Sequence, residues 1–386
     1  MKSTKFPLER FEKLDTPFYY YDTALLLDTL SALHRAVGDM PHFHVHYAVK
    51  ANANPRILRL IAEAGLGADC VSGGEISAAL EAGFPASKIV FAGVGKSDRE
   101  INLGLDNDIA CFNVESIPEL EVINQLALAR GKRAKVAFRI NPNVDAHTHE
   151  KITTGLNENK FGIAMDDMEA AIRMAASLPA VDFEGLHFHI GSQILQLDVY
   201  AALCERINEL QDRLEAIGLR AGNINVGGGL GIDYGQPDEH PVPDFEHYFA
   251  IFRRHLRLRE GQELHFELGR SVVAQCGSLI ARTLYVKKGH TKQFLIVDAG
   301  FTELLRPAFY GAVHATQNLS AASDAPLETY DVVGPICESS DVFGKDMQLG
   351  RTRRGDFIAF RSAGAYGEVM ASCYNCRNLP QSYFDE

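Results

Sequence analysis

An alternation of strand-like and helix-like segments through residues 42–270 places the strongest constraint on the fold. Eight short runs are rich in β-branched and aromatic residues and are bounded by turn residues. The segments between them space apolar residues three and four positions apart, as amphipathic helices do. Eight strand–helix units in about 230 residues predict a (β/α)8 TIM-type barrel, with a doubly wound open sheet as the alternative. The eight runs are HFHVHYAVK (42–50), GADCVS (67–72), KIVFAGV (88–94), IACFNVES (109–116), KVAFRINP (135–142), FEGLHFHIGS (183–192), NINVGGGL (223–230) and LHFELGR (264–270).

The pattern of strand-like and helix-like segments changes after residue 270. Short strand-like runs such as SLIARTLYVKKG, QFLIVDAGF, YDVVGPIC and DFIAFRSAG follow one another with few helical patterns between them. Such runs are typical of a mostly antiparallel sandwich or barrel-like domain. We therefore expect a barrel over 22–270 and a β domain over 271–386, with the strand-like segment TPFYYYD of the N-terminal 1–21 available to pair with the β domain.

The charge and composition limit the partners and the compartment. The net charge of −12 argues against nucleic acid and anionic membrane surfaces as partners. No apolar run approaches the ~18 residues of a membrane span, and the charged start MKSTKFPLERFEKL has no apolar core of a signal peptide. The seven scattered cysteines fit a reducing cytoplasm better than a disulfide framework.

Polar residues close each of the eight strand-like runs. Active sites of (β/α)8 barrels lie at the carboxyl ends of the strands, so these residues are the first candidates for a site. The candidates are Lys50; Asp69 and Ser72; Asn113 and Glu115; Arg139 and Asn141; His187 and His189; Gly227, Gly228 and Gly229; and Glu267 and Arg270.

Three of these features together indicate a pyridoxal phosphate site. Lys50, if desolvated in a barrel mouth, is a good Schiff-base amine, although a strand-end lysine can also simply reach water. The three glycines 227–229 expose backbone N–H groups after the seventh strand, where barrel phosphate sites cluster. Glu267 can keep a pyridine nitrogen protonated, or it can be an ordinary ion-pair partner of Arg270. The glycines lack the GxGxxG order of a dinucleotide site, so NAD is disfavoured.

The histidines raise the competing hypothesis of a metal hydrolase. His-x-His pairs occur at 42–46, 187–189 and 147–149, and such a pair at a barrel strand end is a common metal site. These pairs lie on strands that do not converge, and a satisfied half-buried histidine is the alternative role for His42 and His44. We therefore predict no metal.

Two cysteine motifs lie in the predicted β domain. Cys337, beside Glu338 in a polar loop, is a candidate proton donor, although a lone cysteine is more often a small core residue. Cys373 and Cys376 form a single C-x2-C without a second pair, which indicates a structural or incidental role.

Seven motifs together resemble the meso-diaminopimelate decarboxylases, which are fold-type III pyridoxal-phosphate-dependent decarboxylases related to ornithine and arginine decarboxylases. The motifs occur in family order over residues ~15 to ~380, as YAVKAN, GADCVSGGE, HFHIGSQ, NVGGGLGIDY, RPAFYGA, GPICESSD and GAYGEVMASCYN. The resemblance implies a pyridoxal-phosphate-binding barrel, a β domain that completes the site, and a head-to-tail homodimer with shared active sites. One departure is Leu268, where the family usually has proline after the strand-eight glutamate.

The resemblance also implies the role of each site residue. Lys50 would bind the cofactor covalently, His189 would stack on its ring and Glu267 would pair with its ring nitrogen. Cys337 would donate the proton and Glu338 would bind substrate, both from the partner subunit. The cofactor-binding set is Lys50, Asp69, His189, Ser192, Gly227, Gly228, Gly229, Glu267, Gly269, Arg270 and Tyr366, and the substrate-binding set is Arg270, Arg306, Tyr310, Glu338 and Tyr366.

The expected reaction is decarboxylation of meso-2,6-diaminopimelate to L-lysine and CO2, the last step of lysine biosynthesis. Two arginines, a tyrosine and a glutamate suit a distal carboxylate and ammonium, and they would also supply a positive field against the net charge of −12. A diamine-forming enzyme would instead need acidic residues there. Another decarboxylase of this fold type, acting on carboxynorspermidine, ornithine or arginine, is the first alternative, and a barrel metal hydrolase is the second.

Overall fold

The computed structural model describes residues 6–144 and 160–385. The chain divides into two compact units. The first comprises residues 30–231 and 244–269, and the second comprises residues 1–29, 232–243 and 270–386.

Eight parallel strands of the first unit form a closed ring. Each strand pairs in parallel with its neighbours in the order β2-β3-β4-β5-β6-β8-β9-β10, and β10 pairs back with β2. The predicted barrel is therefore confirmed, and the alternative of an open sheet is wrong. A short strand β7 (Ile163–Ala164) adds to β6 outside the ring. The ring strands are β2 (Phe43–Ala48), β3 (Gly67–Cys70), β4 (Ile89–Phe91), β5 (Cys111–Val114), β6 (Ala134–Asn141), β8 (Val181–His187), β9 (Asn223–Asn225) and β10 (Glu263–Leu268).

A helix follows each ring strand, as the apolar spacing predicts. Local signals fix where these helices begin and end: Asn54 caps the helix that starts with Pro55, Ser72 caps the next one, and Gly83 ends it in the left-handed conformation with φ 97°. The helices of this region are α2 (Thr23–Val37), α3 (Pro55–Glu63), α4 (Gly73–Ala82), α5 (Asp98–Asp106), α6 (Ile117–Ala129), α7 (Met168–Ser177), α8 (Asp198–Ala216), α9 (Phe245–His255) and α10 (Arg270–Val273).

All eight ring strands end one to five residues earlier than the sequence predicts, as three of them illustrate. Lys50 lies in a 3-10 turn, Val49–Ala51, directly after β2. The seventh strand ends at Asn225 instead of residue 230, because Gly227 and Gly229 take positive φ values of 69° and 105°, which a strand cannot contain. Arg270 begins α10 instead of closing the eighth strand. In each case the predicted site residues lie just beyond the carboxyl end of the strand.

The second unit contains an eight-stranded, mostly antiparallel sheet, as predicted. Its path is β13-β16-β11-β12-β14-β15, and the N-terminal β1 (Phe18–Tyr21) pairs with both β11 and β17. Among the described strands of this sheet, the parallel pairs are β12–β14 and β1–β17. The other strands are β11 (Gly277–Lys288), β12 (Gln293–Val297), β13 (Thr316–Asn318), β14 (Leu327–Val333), β15 (Val342–Gly350), β16 (Phe357–Phe360) and β17 (Gln381–Phe384), and the short α-helices in the described part of the unit are α1 (Leu8–Phe11), α10 and α11 (Arg306–Tyr310).

No helix in the described part of the chain is long and apolar enough to cross a membrane.

Candidate active site

Lys50 and Asp69 form an ion pair at the carboxyl ends of two adjacent strands. The Lys50 Nζ lies 3.3 Å from Oδ2 of Asp69, whose side chain is fully buried, while the lysine side chain is 38% exposed. Burial and the charge of Glu267 raise the pKa of Asp69 to about 6, against the opposing effect of Lys50. Lys50 is therefore held by a buried carboxyl group and remains accessible at this end of the barrel.

Glu267 is a buried carboxylate that three side chains hold in the barrel interior. Its Oε1 accepts hydrogen bonds from Nδ2 of Asn113 (3.1 Å) and Nδ2 of Asn225 (2.8 Å), and its Oε2 lies 3.0 Å from Nε2 of His187. Burial alone raises the pKa of this carboxyl, but the charge and hydrogen bond of His187, together with Lys50, lower it well below its usual value. Glu267 is thus a buried anion at neutral pH, with three neighbours that fix its orientation.

The glycine loop after β9 packs its backbone against two other strand ends. A Cβ on Gly228 would lie 1.9 Å from the carbonyl oxygen of Glu267, and one on Gly227 would lie 2.4 Å from the oxygen of Phe188. Only glycine permits this approach. The Gly228 N–H donates to Nδ1 of His189 at 3.3 Å, so the proton of a neutral His189 resides on Nε2.

His189 is a neutral imidazole in this environment. Burial is the largest cause that lowers its pKa well below the usual value, followed by the charges of Arg139 and Lys50. A neutral ring that is held by the glycine loop can lie against an aromatic ligand without adding charge.

Two further predicted residues lie near these strand ends. Ser192, three residues after His189, is half-buried. Gly269 packs against Ala48, and a Cβ on Gly269 would lie 3.0 Å from the Ala48 side chain.

Arg139 and Glu115, also predicted at strand ends, form a buried ion pair. Nη1 of Arg139 lies 2.9 Å from Oε1 of Glu115, which also accepts the Gly93 N–H at 3.2 Å. The guanidinium lies over the ring of Phe161 at 4.6 Å. This ion pair links residues at the carboxyl ends of β4, β5 and β6 and so stabilises the loops there.

The second unit buries Arg306 against aromatic and imidazole groups. Arg306 is 6% exposed, its Nη1 donates to Nε2 of His314 at 2.7 Å, and its guanidinium lies 4.4 Å from the ring centroid of Tyr234. His314 must accept, because its Nδ1–H donates to the carbonyl oxygen of Arg361 at 2.8 Å. Within 6–144 and 160–385, no carboxylate forms an ion pair with Arg306. A buried guanidinium of this kind can bind an anion.

Arg270 lies in the same cluster as Arg306. Its Nη1 donates to the hydroxyl of Tyr234 at 2.6 Å, and its guanidinium lies 4.8 Å from the ring of Tyr366. Tyr366 has a positive φ of 55°, a strained conformation that is often found at functional sites. Tyr310 ends α11 beside these groups and contributes to the electrostatics of both arginines. The structure therefore brings together all the sequence-predicted residues of this unit except Cys337 and Glu338.

Cys337 and Glu338 lie on an exposed loop between β14 and β15. Asp341 shapes this loop, because its Oδ2 accepts the Ile336 N–H at 2.7 Å. Oε1 of Glu338 accepts a hydrogen bond from the hydroxyl of Tyr374 at 2.8 Å. Both predicted residues are therefore presented to solvent on a defined loop.

The histidine pairs at 42–46 and 187–189 do not assemble into a metal centre with other described residues. Across 6–144 and 160–385, no group of three or more His, Cys, Asp or Glu side chains has the arrangement to hold a metal ion. The pair His147 and His149 lies outside these residues.

The carboxyl-end face of the barrel fits pyridoxal phosphate. Lys50 can hold the aldehyde carbon and Glu267 can hold the pyridine nitrogen. The loop at Gly227–Gly229 leaves a backbone cradle that any Cβ would fill, which suits a phosphate. His189 supplies a flat neutral ring. The residues that carry these functions are those closing the first, sixth, seventh and eighth ring strands.

Sequence reasoning missed four supporting residues. The sequence predicts Asn113 only as a strand end and gives no role to Asn225, Tyr234 and His314, although these residues contact Glu267, Arg270 and Arg306. Asn225 has a usable signal, since it is a polar residue in a strand-like run directly before the glycine loop. His314 is eight residues from Arg306 and had none.

The comparison with protein families agrees with this site. Residues 27–274 match the model of the pyridoxal-dependent decarboxylases, pyridoxal binding domain. The chain is 64% identical to the diaminopimelate decarboxylase of Bacteroides thetaiotaomicron over 98% of its own length and 97% of the relative's. It is 43% identical to that of Neisseria meningitidis serogroup A, covering 95% of this chain and 89% of the relative.

The chain is also similar in fold to solved structures of diaminopimelate decarboxylases. The diaminopimelate decarboxylase from Helicobacter pylori complexed with L-lysine superposes with a TM-score of 0.92 at 39% identity, covering 98% of this chain and 94% of that one. The enzyme from M. jannaschii in co-complex with L-lysine gives 0.90 at 36% identity, covering 98% and 89%. Both the sequence and the fold therefore place this chain in the diaminopimelate decarboxylase family of pyridoxal-dependent decarboxylases.

Proposed function

We propose that this protein decarboxylates meso-2,6-diaminopimelate to L-lysine and CO2, as the last step of lysine biosynthesis. The observation that carries the proposal is the pairing of an accessible Lys50 with a buried, ionised Glu267 in a barrel of the pyridoxal-binding family. When bound, pyridoxal phosphate supplies an electron-withdrawing pyridinium that stabilises the negative charge left at Cα as CO2 departs.

The barrel residues bind and orient the cofactor. Lys50 would hold the cofactor covalently, and Asp69 would hold the Lys50 ammonium when the lysine is free. Glu267 would accept a hydrogen bond from the pyridine N–H, and the low pKa of this carboxylate would leave that proton on the ring nitrogen. His189 would pack against the ring, and the N–H groups around Gly227–Gly229 would bind the phosphate, together with Ser192, Gly269, Arg270 and Tyr366.

The arginine cluster selects the substrate. Arg306 and Arg270, with Tyr310, bind the distal carboxylate of diaminopimelate, which becomes the carboxylate of L-lysine. Burial strengthens this charge-assisted bond, because water does not compete for the guanidinium. A diamine-forming substrate such as ornithine lacks this carboxylate and would leave Arg306 buried without an anion. The cluster therefore supports diaminopimelate over the other decarboxylase substrates.

Cys337 and Glu338 act in the site of a partner subunit. Their exposed loop supports this role, since a catalytic thiol that serves its own subunit would be expected in an enclosed position. Cys337 donates the proton to Cα after CO2 has left, and Glu338 binds the distal ammonium. The enzyme is a homodimer with shared active sites, in the cytoplasm.

A CO2-release assay tests the proposed substrate. The purified holoenzyme is given meso-, L,L- and D,D-diaminopimelate, ornithine, arginine, lysine and carboxynorspermidine in parallel. We expect release from the meso isomer, with kcat/KM at least 100-fold above every other compound. Equal or faster release from ornithine, arginine or carboxynorspermidine would overturn the substrate assignment, whereas no release from any compound would overturn the reaction class.

A further inference from the structure

A cavity of about 520 Å³ lies in the first unit at the opposite end of the barrel from Lys50. It is lined by residues that begin the ring strands, including His44 of β2, Cys111 of β5 and His265 of β10. This volume is in the range of small-molecule sites. Its apolar wall is formed by Leu33, Val37, Phe43, Val45, Leu66 and Leu186.

Three neighbouring imidazoles form one part of the polar wall of this cavity. The ring centroids of His44 and His265 lie 5.0 Å apart, and those of His46 and His265 lie 5.2 Å apart in a stacked arrangement. Burial lowers the pKa of His46 to about 4 and that of His265 to about 3, so both are neutral at pH 7. These two rings are therefore an uncharged, aromatic part of the wall. The other polar residues that line the cavity are His34, Ser87, Lys88, Asn113, Asn223 and Asn225.

The hydrogen bonds fix which nitrogen carries each proton. Nδ1 of His46 lies 3.1 Å from the carbonyl oxygen of Lys88, which can only accept, so this Nδ1 bears the proton. Nε2 of His46 must then accept from Nδ1–H of His265, at 2.9 Å. The Nε2 of His265 is left as a lone-pair acceptor.

That acceptor has no partner. Nε2 of His265 is shielded from solvent and makes no hydrogen bond to any residue that the structure describes, a state that is unfavourable for a buried acceptor. The neighbouring His44 side chain is 42% exposed and contacts Glu263 at its outer edge. Because Nε2 of His265 has almost no accessible surface, a molecule in the cavity would reach it only if a neighbouring ring moved, and the partly exposed His44 ring lies beside it.

We propose that this cavity is a second ligand site, which binds a small uncharged aromatic molecule that donates one hydrogen bond to Nε2 of His265. The apolar wall and the stacked imidazoles favour a flat ring. A charged ligand is disfavoured by the cost of desolvation. The cation that lines the cavity, Lys88, already donates to the carbonyl oxygen of Gly65 at 2.9 Å.

Indole and benzofuran are matched probes for this site, because they share a shape and only indole has an N–H donor. Both are titrated into the holoenzyme by calorimetry or ligand-observed NMR. We expect saturable 1:1 binding of indole, on the order of fivefold tighter than benzofuran, as one neutral hydrogen bond provides. No saturable binding of indole, or equal affinity for the two ligands, would overturn the proposal.

Two variants locate the binding. His265→Phe keeps a ring but removes the acceptor, and should abolish the preference for indole. Ala110→Phe fills the cavity from its rim without touching the histidines, and should abolish binding of both ligands while decarboxylase activity is retained. Unchanged binding in Ala110→Phe would place the ligand elsewhere and overturn the proposal, even if His265→Phe fails to fold.

Discussion

The side-chain amide of Asn225 donates a 2.8 Å hydrogen bond to Oε1 of Glu267, and both residues are buried. The side-chain amide of Asn113 donates to the same oxygen, while Nε2 of His187 lies within hydrogen-bond distance of the other carboxylate oxygen. A carboxylate held at both oxygens has one orientation available for a cofactor nitrogen. The His187 bond favours the ionised form and so contributes to the low pKa of Glu267.

Asn225→Ala should therefore lower kcat. The carboxylate loses a hydrogen bond to a charged group, a loss of about 1.5–3 kcal/mol, so kcat should fall roughly 10-fold or more while KM changes little. Steady-state kinetics measures both. Asn223→Ala, on the same face of β9 two residues earlier, is the matched control and should stay near wild type. An unchanged kcat in Asn225→Ala would mean that Asn113 and His187 suffice to orient Glu267.

Lys50→Ala should abolish the visible absorbance of the protein-linked cofactor and nearly all turnover. Lys96 is the matched control, since it also follows a ring strand. Its Nζ, however, is buried against the carbonyl oxygens of Gly93 and Asn113, both at 2.8 Å, and Glu119. Lys96→Met should lose stability, because the Glu119 carboxylate is left buried without its partner, and should keep the cofactor absorbance. Absorbance and turnover in Lys50→Ala would contradict the covalent role.

The contrast between these two lysines shows what could be predicted from the sequence. The eight ring strands and the residues that close them follow from period-2 apolar runs and turn residues, which are local signals. The sequence around Lys50 and Lys96 does not show that the first lysine is accessible and the second is enclosed. That difference in exposure depends on hydrogen-bond partners that lie 17 to 23 residues away in the chain.

The other features that the sequence does not predict depend on partners far along the chain or lie in strands with few apolar residues. His314 follows α11 and accepts a hydrogen bond from Arg306, but its Nδ1 is fixed by a carbonyl 47 residues away. The sequence also does not predict strand β15, because VFGKDMQLG is buried at only two of its nine positions and has little apolar alternation.

Arg306→Ala should raise KM for diaminopimelate. Loss of a charge-assisted partner for the distal carboxylate is worth about 1.5–3 kcal/mol, or roughly 10- to 150-fold. The affinity for L-lysine, which keeps that carboxylate, should fall by a similar factor in a direct binding titration. Arg354→Ala, an exposed arginine over the ring of Tyr285, is the control. If both KM and the L-lysine affinity stay constant, Arg306 has a structural role only.

Asp69→Asn should change how stability depends on pH. The pKa of Asp69 is raised from 3.8 to about 6 in the native state, so its stabilising contribution is complete below about pH 4 and is lost as the pH rises through about 6. Relative to wild type, Asp69→Asn should therefore gain stability as the pH rises from about 4 to about 6, by up to about 3 kcal/mol, with no further change at higher pH. Thermal unfolding of the cofactor-free protein at several pH values measures this. Asp324→Asn, at an exposed position, should show no such trend, and a difference between Asp69→Asn and wild type that does not vary with pH would contradict the raised pKa.

Mixing two inactive variants tests the shared active site. Lys50→Ala and Cys337→Ala should each be nearly inactive as homodimers, because every site carries one defect. If Cys337 serves the partner's site, a mixed dimer has one site with both defects and one with neither. Random mixing of equal amounts makes about half of the dimers mixed, so activity should return to roughly a quarter of wild type per site, by counting under two-fold symmetry. The variants are dissociated and reassociated together, then assayed for CO2 release, with subunit exchange followed by a size tag on one of them. Cys373→Ala in place of Cys337→Ala is the control, and should be active without mixing. Exchange without recovery would mean that Cys337 acts within its own chain or is not the proton donor.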